Sequence, residues 1–172
     1  MRGHGVAGRE PPKLRGAFAA PLRRASGGPR VTGPGDFKPA TVELIWERDG
    51  GRCALCGVGL NRPLRGVLWS VHHREDRGMG GVKRARPGRA QPRAYLALAA
   101  NGVALCGSGT TGCHGDVTNE KVPDHLGFTV SRIGIRRPVD VPIRHYLHGW
   151  VLLDNDGGFS PVEEPDAGEL AA

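Results

Sequence analysis

Two adjacent histidines, His72 and His73, close an apolar, strand-like run, Val67-Leu68-Trp69-Ser70-Val71. Asn101 and a third histidine, His114, follow downstream. The chain's only four cysteines bracket this set: Cys53 and Cys56 precede it, and Cys106 and Cys113 lie within it. Imidazoles supply nitrogen ligands and a base that works near neutral pH, and an asparagine amide supplies hydrogen bonds that orient its surroundings. Thiolates supply a closed tetrahedral site for zinc. One short region thus carries the ingredients of a structural metal site and of a catalytic one.

The cysteine spacing is the more specific half. Two residues between Cys53 and Cys56 let both sulfurs face one ion. Six residues separate Cys106 from Cys113, and the insert Gly107-Ser108-Gly109-Thr110-Thr111-Gly112 is small enough to fold back. Four thiolates leave no open position, so this zinc is expected to be structural, supplying on the order of 10 kcal/mol of folding energy. The composition asks for such a staple. The chain has 172 residues, 38% hydrophobic and only 5% aromatic, with 28 Gly and 14 Pro. That suits one domain plus tails, with a core too small to stand unaided. The sequence shows no secretory-type apolar run and no eighteen-residue apolar stretch. The chain is therefore expected to be intracellular, without a membrane role, where disulfides rarely persist and zinc is the better use of four cysteines.

Neighbouring side chains on a strand point to opposite faces. A bend at the strand end would let His72 and His73 line one cleft, one binding a metal and the other free as a base. His114 directly follows Cys113, so the zinc knuckle would hold it in place. His4, His125, His145 and His148 join no such constellation and are assigned surface or structural roles.

The elements that must position these residues are short. Pro39 suits a first helical turn, Val42, Ile45 and Trp46 share a face, and Gly50-Gly51 stop the helix. Cys53-Ala-Leu-Cys56-Gly57 is a tight knuckle, followed by a strand over Val67–His73. Residues 74–93 form a long loop with seven Lys/Arg and two acids. A helical turn is expected at Tyr95–Ala100, a helix from His114 to about Lys121, and strands at Phe128–Val130, Ile143–Tyr146 and Trp150–Leu153. The expected domains are a disordered basic arm (1–36), a zinc-stapled α+β domain (37–122), short strands packed on that core (123–155) and a disordered acidic tail (156–172).

Charge follows this division. Residues 1–38 carry net +6, residues 39–153 net +7 and residues 154–172 net −6, for a total of +7. A basic middle and arm suit a polyanionic partner, most simply nucleic acid. Arg74, Arg77, Lys83, Arg84 and Arg86 are the candidates for gripping DNA phosphates, contacts that position a duplex without reading it.

At this point the residues resemble a family, the His-Asn-His (HNH) nucleases with their ββα-metal fold. The matching pieces are Cys53-Ala-Leu-Cys56-Gly57, Val71-His72-His73, Gly80-Gly81, Asn101-Gly-Val-Ala-Leu-Cys106 and Cys113-His114. They span roughly residues 37–121. The stretch Cys106–Gly115 and the later Gly149-Trp-Val-Leu-Leu-Asp look like the actinobacteriophage variant. The resemblance implies that His72 and His114 hold a catalytic divalent metal, that His73 is the general base and that Asn101 orients the catalytic loop. It places a further ligand four residues after His114, where this chain has Thr118 with Asn119 beside it; an oxygen ligand or water there would bind more weakly. Mg or Mn is the expected metal, with Ni or Zn also compatible with such ligands.

The implied activity is hydrolysis of phosphodiester bonds in double-stranded DNA, nicking included, leaving 5′-phosphate and 3′-hydroxyl ends. The implied setting is phage DNA packaging in the host cytoplasm, near terminase or portal. The competing readings are a zinc-stabilised DNA-binding module that has lost catalysis and an assembly adaptor working through its charged tails. The sequence carries no signal for oligomeric state.

Overall fold

The computed structural model describes residues 33, 35–78, 83, 87–88 and 93–166. The chain divides after Arg30, and all described residues belong to the unit that starts at Val31. That unit is a small mixed α/β structure with two antiparallel sheets. No helix among the described residues is long and apolar enough to cross a membrane. The basic arm and the glycine pair Gly80-Gly81 lie outside the described residues, apart from Gly33, Gly35 and Asp36.

Helix α1 (Pro39–Arg48) starts at its proline and buries Val42, Ile45 and Arg48. Gly50 and Gly51 end it with φ of 61° and 63°, the left-handed region that glycine enters at no steric cost. Strand β1 (Trp69–His73) pairs antiparallel with β2 (Gly102–Cys106), His72 opposite Val103 and His73 opposite Gly102. Helix α2 (Gly112–Thr118) packs back on both strands. The second sheet is a meander of β3 (Ile143–His145), β4 (Gly149–Leu153) and β5 (Phe159–Pro161).

The β1–β2 hairpin is the central layer. On one face Val103 and Leu105 pack with Val117, Phe128, Ile143 and Val151. On the other, Trp69 and Ala104 pack with Phe37, Val42 and Ile45. The α1 face is tight at Gly102, where an added Cβ would stand 2.3 Å from Ile45 Cδ1 and 2.9 Å from Phe37 Cζ. The outer edge of β2 is sealed by Ala54 N–H, which donates to Ala104 O (2.8 Å), and by Asp49, whose Oδ2 accepts from Ala104 N (2.7 Å). Arg48 and His145 bond the same buried carboxylate (2.8 and 3.1 Å). Burial alone would raise the Asp49 pKa, but Arg48 and His145 outweigh it and hold it low.

Four elements differ from the sequence expectation. β1 begins at Trp69, and Val67 and Leu68 are exposed in a turn. α2 ends at Thr118, because Glu120 enters the left-handed region (φ 56°) and the chain folds back, Glu120 N–H donating to Val117 O (3.2 Å) and Lys121 N–H to Asp116 O (2.9 Å). Phe128–Val130 is not a strand among the described elements, although Val130 N–H donates to Arg74 O (2.8 Å). The acidic tail is ordered well past Asp156. Asp154 Oδ1 accepts from Asp156 and Gly158 N–H (2.9 and 2.7 Å), turning the chain so that Phe159–Pro161 becomes β5.

Candidate functional site

The four cysteines converge. Their sulfurs all lie within 4.8 Å of one another, and Cys56 and Cys106 are 3.8 Å apart. All four are free thiols. A tetrahedron of sulfurs at a zinc–sulfur distance of about 2.3 Å has edges of about 3.8 Å, so the cluster could hold a structural ion such as zinc. The backbone prepares it: Cys53 N–H donates to Val58 O (2.9 Å) and Gly57 N–H to Cys53 O (2.8 Å). Gly57, at φ 75°, leaves no room for a Cβ against the Tyr146 ring, which would lie 2.2 Å away. Burial pushes the Cys53 and Cys113 thiols up, whereas hydrogen bonds from Val58 and the neighbouring sulfurs outweigh burial at Cys56 and lower it. Thiolates this close repel one another unless a cation sits among them.

On the α2 face, His72 and His114 meet edge to face with ring centroids 5.1 Å apart. Each ring is held through one nitrogen. His72 Nε2 donates to Phe128 O (3.1 Å), which leaves Nδ1 with its lone pair. His114 Nδ1 lies 2.6 Å from Ser70 Oγ, and in the tautomer that donates to Ser70 its Nε2 is open. Ligating histidines use their second nitrogen in this way. Burial, then His114, pushes His72 down to about 4, and burial lowers His114 as well. Among the described residues, the cysteine quartet is the group of three or more His, Cys, Asp or Glu that converges on one point; His72 and His114 are a pair.

His73 stands apart. β1 stays regular to its end instead of bending, so His73 faces the α1 side, opposite His72. This corrects the expectation of one shared cleft. Its ring stacks on Phe37 at 4.1 Å, and Nε2 donates to Gly35 O (2.9 Å). Nδ1 therefore keeps the lone pair. Burial pushes this imidazole down to about 4, against the Gly35 bond, which works upward.

Asn101 is buried at the end of the short helical turn Ala99–Asn101, directly before β2. Its Oδ1 accepts from Glu75 N–H (2.6 Å), and its Nδ2 donates to Leu96 O (2.9 Å) and Glu75 O (3.2 Å). It thereby fixes the backbone two residues beyond His73.

The phosphate-gripping candidates divide. Arg74 is only 1% exposed, and its guanidinium donates to the carbonyls of Gly127 (2.8 Å), Pro138 (2.8 Å) and Val141 (2.7 Å), among others. It is a structural clamp and cannot reach DNA, because every side of the group is spent on the fold. Arg77 is half-exposed and paired with Asp36. Lys83 is exposed, and Arg84 and Arg86 lie outside the described residues. The Thr118 hydroxyl donates to His114 O (2.8 Å) and Asn119 Nδ2 to Gly115 O (2.6 Å), both on their own helix.

Sequence reasoning missed Ser70, Phe128 O, Gly35 and Phe37 as partners of the histidines. Ser70 was findable, because it sits two residues before His72 on the same strand face. Gly35 and Phe128 act through backbone carbonyls far away in the chain, which no residue type announces. Comparison with protein-family models, curated proteins and solved structures finds no match to this chain.

Proposed function

We propose that this chain is a metal-dependent HNH-type endonuclease that hydrolyses phosphodiester bonds of double-stranded DNA, with phage DNA packaging as its setting. The observation that carries the reading is the pairing of His72 from β1 with His114 from α2, rings 5.1 Å apart, each with its second nitrogen committed to a neighbour. The order strand, strand, helix beside a cysteine quartet supports it. His72 Nδ1 and His114 Nε2 would hold a divalent ion, Mg or Mn by availability. When bound, such an ion polarises the phosphate and stabilises the leaving 3′ oxygen. His73 Nδ1 would take the proton from the attacking water, a task that an ordinary imidazole, largely neutral at pH 7, can perform. Asn101 holds the backbone that follows His73.

One observation favours a second reading, a zinc-stabilised DNA-binding module without catalysis. His73 is on the opposite face from His72 and covered by Gly35 and Phe37, so catalysis needs that cover to lift. Supercoiled plasmid incubated with Mg, Mn or Ni separates the two. Metal-dependent nicking that drops by about 10²–10⁴-fold in His73→Ala supports the enzyme. Duplex binding without nicking under any metal supports the module.

A further inference from the structure

The chain has four isoleucines, and they are used in two opposite ways. Ile45 and Ile143 are fully buried, whereas Ile133 and Ile135 are 97% and 93% exposed. The exposed pair sits in Ser131-Arg132-Ile133-Gly134-Ile135-Arg136-Arg137, with no carboxylate between Asp124 and Asp140.

Both ends of this segment are anchored. On the N-terminal side Phe128 and Val130 are buried, Val130 N–H donates to Arg74 O (2.8 Å) and Phe128 O accepts from His72. On the C-terminal side the Arg137 guanidinium lies over the Tyr95 ring at 4.6 Å and donates to its hydroxyl (2.7 Å). Arg132 lies over Gly78, where a Cβ would come within 2.6 Å of the guanidinium. A cleft of about 510 Å³ opens between Asp76 and Arg93 on one side and Thr129–Ile133 on the other. The isoleucine tip therefore projects from a fixed base next to the strand end that carries His72.

We propose that residues 131–137 are a wedge for duplex DNA: Ile133 and Ile135 press into the minor groove at a base step, and Arg132 and Arg136 meet the flanking phosphates. A polyanion with an apolar interior is the partner that satisfies both halves of this surface at once. Apolar wedges with arginine shoulders unstack a step and kink the duplex by about 20–90°. The inference rests on the nuclease reading for its purpose, which is to bend the backbone toward the His72–His114 pair. The contact with DNA stands without it.

The test uses the full chain, without added divalent metal, and a duplex carrying a fluorophore at each end. Wild type is expected to bind and to raise energy transfer between the ends. Ile133→Ala/Ile135→Ala is expected to lose that rise and to bind about tenfold or more weakly. Arg132→Ala is expected to keep the bend and lower the salt slope of binding by about one. These side chains face solvent, so zinc content and melting temperature of the variants should match wild type. Unchanged binding and bending in the double variant overturns the wedge, as does failure of wild type to bind duplex. Loss confined to phosphatidylserine vesicles, with duplex binding intact, overturns it in favour of a lipid surface. Plasmid nicking is scored separately. Isoleucine-dependent bending without nicking sinks the nuclease reading and keeps the wedge, and nicking with an unaltered double variant does the reverse.

Discussion

His72 and His73 share a peptide bond and almost nothing of their surroundings. His72 lies across from Val103, beside His114 and under Phe128 O, whereas His73 lies across from Gly102, stacked on Phe37. The division follows from a strand that stays regular to its last residue. It gives the two imidazoles separate surroundings, and it makes the Gly35–Phe37 cover a condition on any use of His73 as a base.

Both imidazoles should make stability fall with acid. Folding lowers each pKa from an ordinary 6.5 to about 4, mainly through burial. Between those limits the unfolded chain binds more protons than the folded one. Stability from this source is full above pH 6.5 and is lost as pH falls toward 4. Melting temperature between pH 7.5 and 5.5, with zinc content checked at each point, should decline in wild type. It should decline less in His72→Gln/His73→Gln; equal slopes would refute the assignment.

Removing one sulfur should unfold the domain. Cys53 is fully buried, and its backbone neighbour Ala54 seals the edge of β2, so the quartet and the central hairpin stand or fall together. Cys53→Ser, or a strong chelator, is expected to abolish the cooperative thermal transition, consistent with a metal contribution on the order of 10 kcal/mol. Metal analysis should give one zinc per chain. A chelated protein with an unchanged transition would show that the cysteines serve the fold without metal.

Arg74→Ala should damage stability before it touches DNA. Its guanidinium donates to several carbonyls and so joins the β1 end to residues 127 and 138–142. The loss should be at least about 3 kcal/mol in denaturant unfolding. Weakened DNA binding with unchanged stability would return Arg74 to the phosphate-contact group.

The contrast between Arg74 and Arg132 marks where the sequence is legible. Spacing predicts the cysteine quartet, α1, β1 and the β3–β4 turn, because each is written in local periodicity or ligand separation, whereas β2 has no such local signal. The fate of an arginine is not written locally. Arg74 sits in a basic run and is buried by residues 26 to 68 positions away, while Arg132 lies in a stretch that looks like an unremarkable connection. β5 was hidden for a related reason: net acidity argued for a tail, but Asp154-Asn155-Asp156-Gly157 is a turn, and Phe159 stacks on His148 at 3.9 Å.

Asn101 offers a sharper test of positioning. Its three bonds close on Glu75 and Leu96 and can be made only by an amide, with one accepting and one donating end. Asn101→Asp keeps the acceptor for Glu75 N–H but sets a carboxylate oxygen against the Leu96 and Glu75 carbonyls. Both Asn101→Asp and Asn101→Ala should lower stability by about 1–3 kcal/mol. Nicking should fall further than this instability explains at 20 °C, while duplex affinity stays near wild type. Parallel losses of affinity and nicking would assign Asn101 to the fold alone.

Thr118 is where the pair of histidines could become a triad. It stands four residues after His114, so the two side chains share one face of α2. Its hydroxyl is spent on His114 O, and it is exposed, so a larger side chain meets little resistance. Thr118→His would place a third imidazole beside His72 and His114. If those two hold a divalent ion, the added ligand should raise apparent affinity for Mn or Ni by about tenfold, read as the metal concentration giving half-maximal nicking or, if the protein does not cut, by calorimetry on the zinc-loaded chain. An affinity identical to wild type in both measurements would mean that His72 and His114 meet only to pack, and the metal reading of the pair would fall.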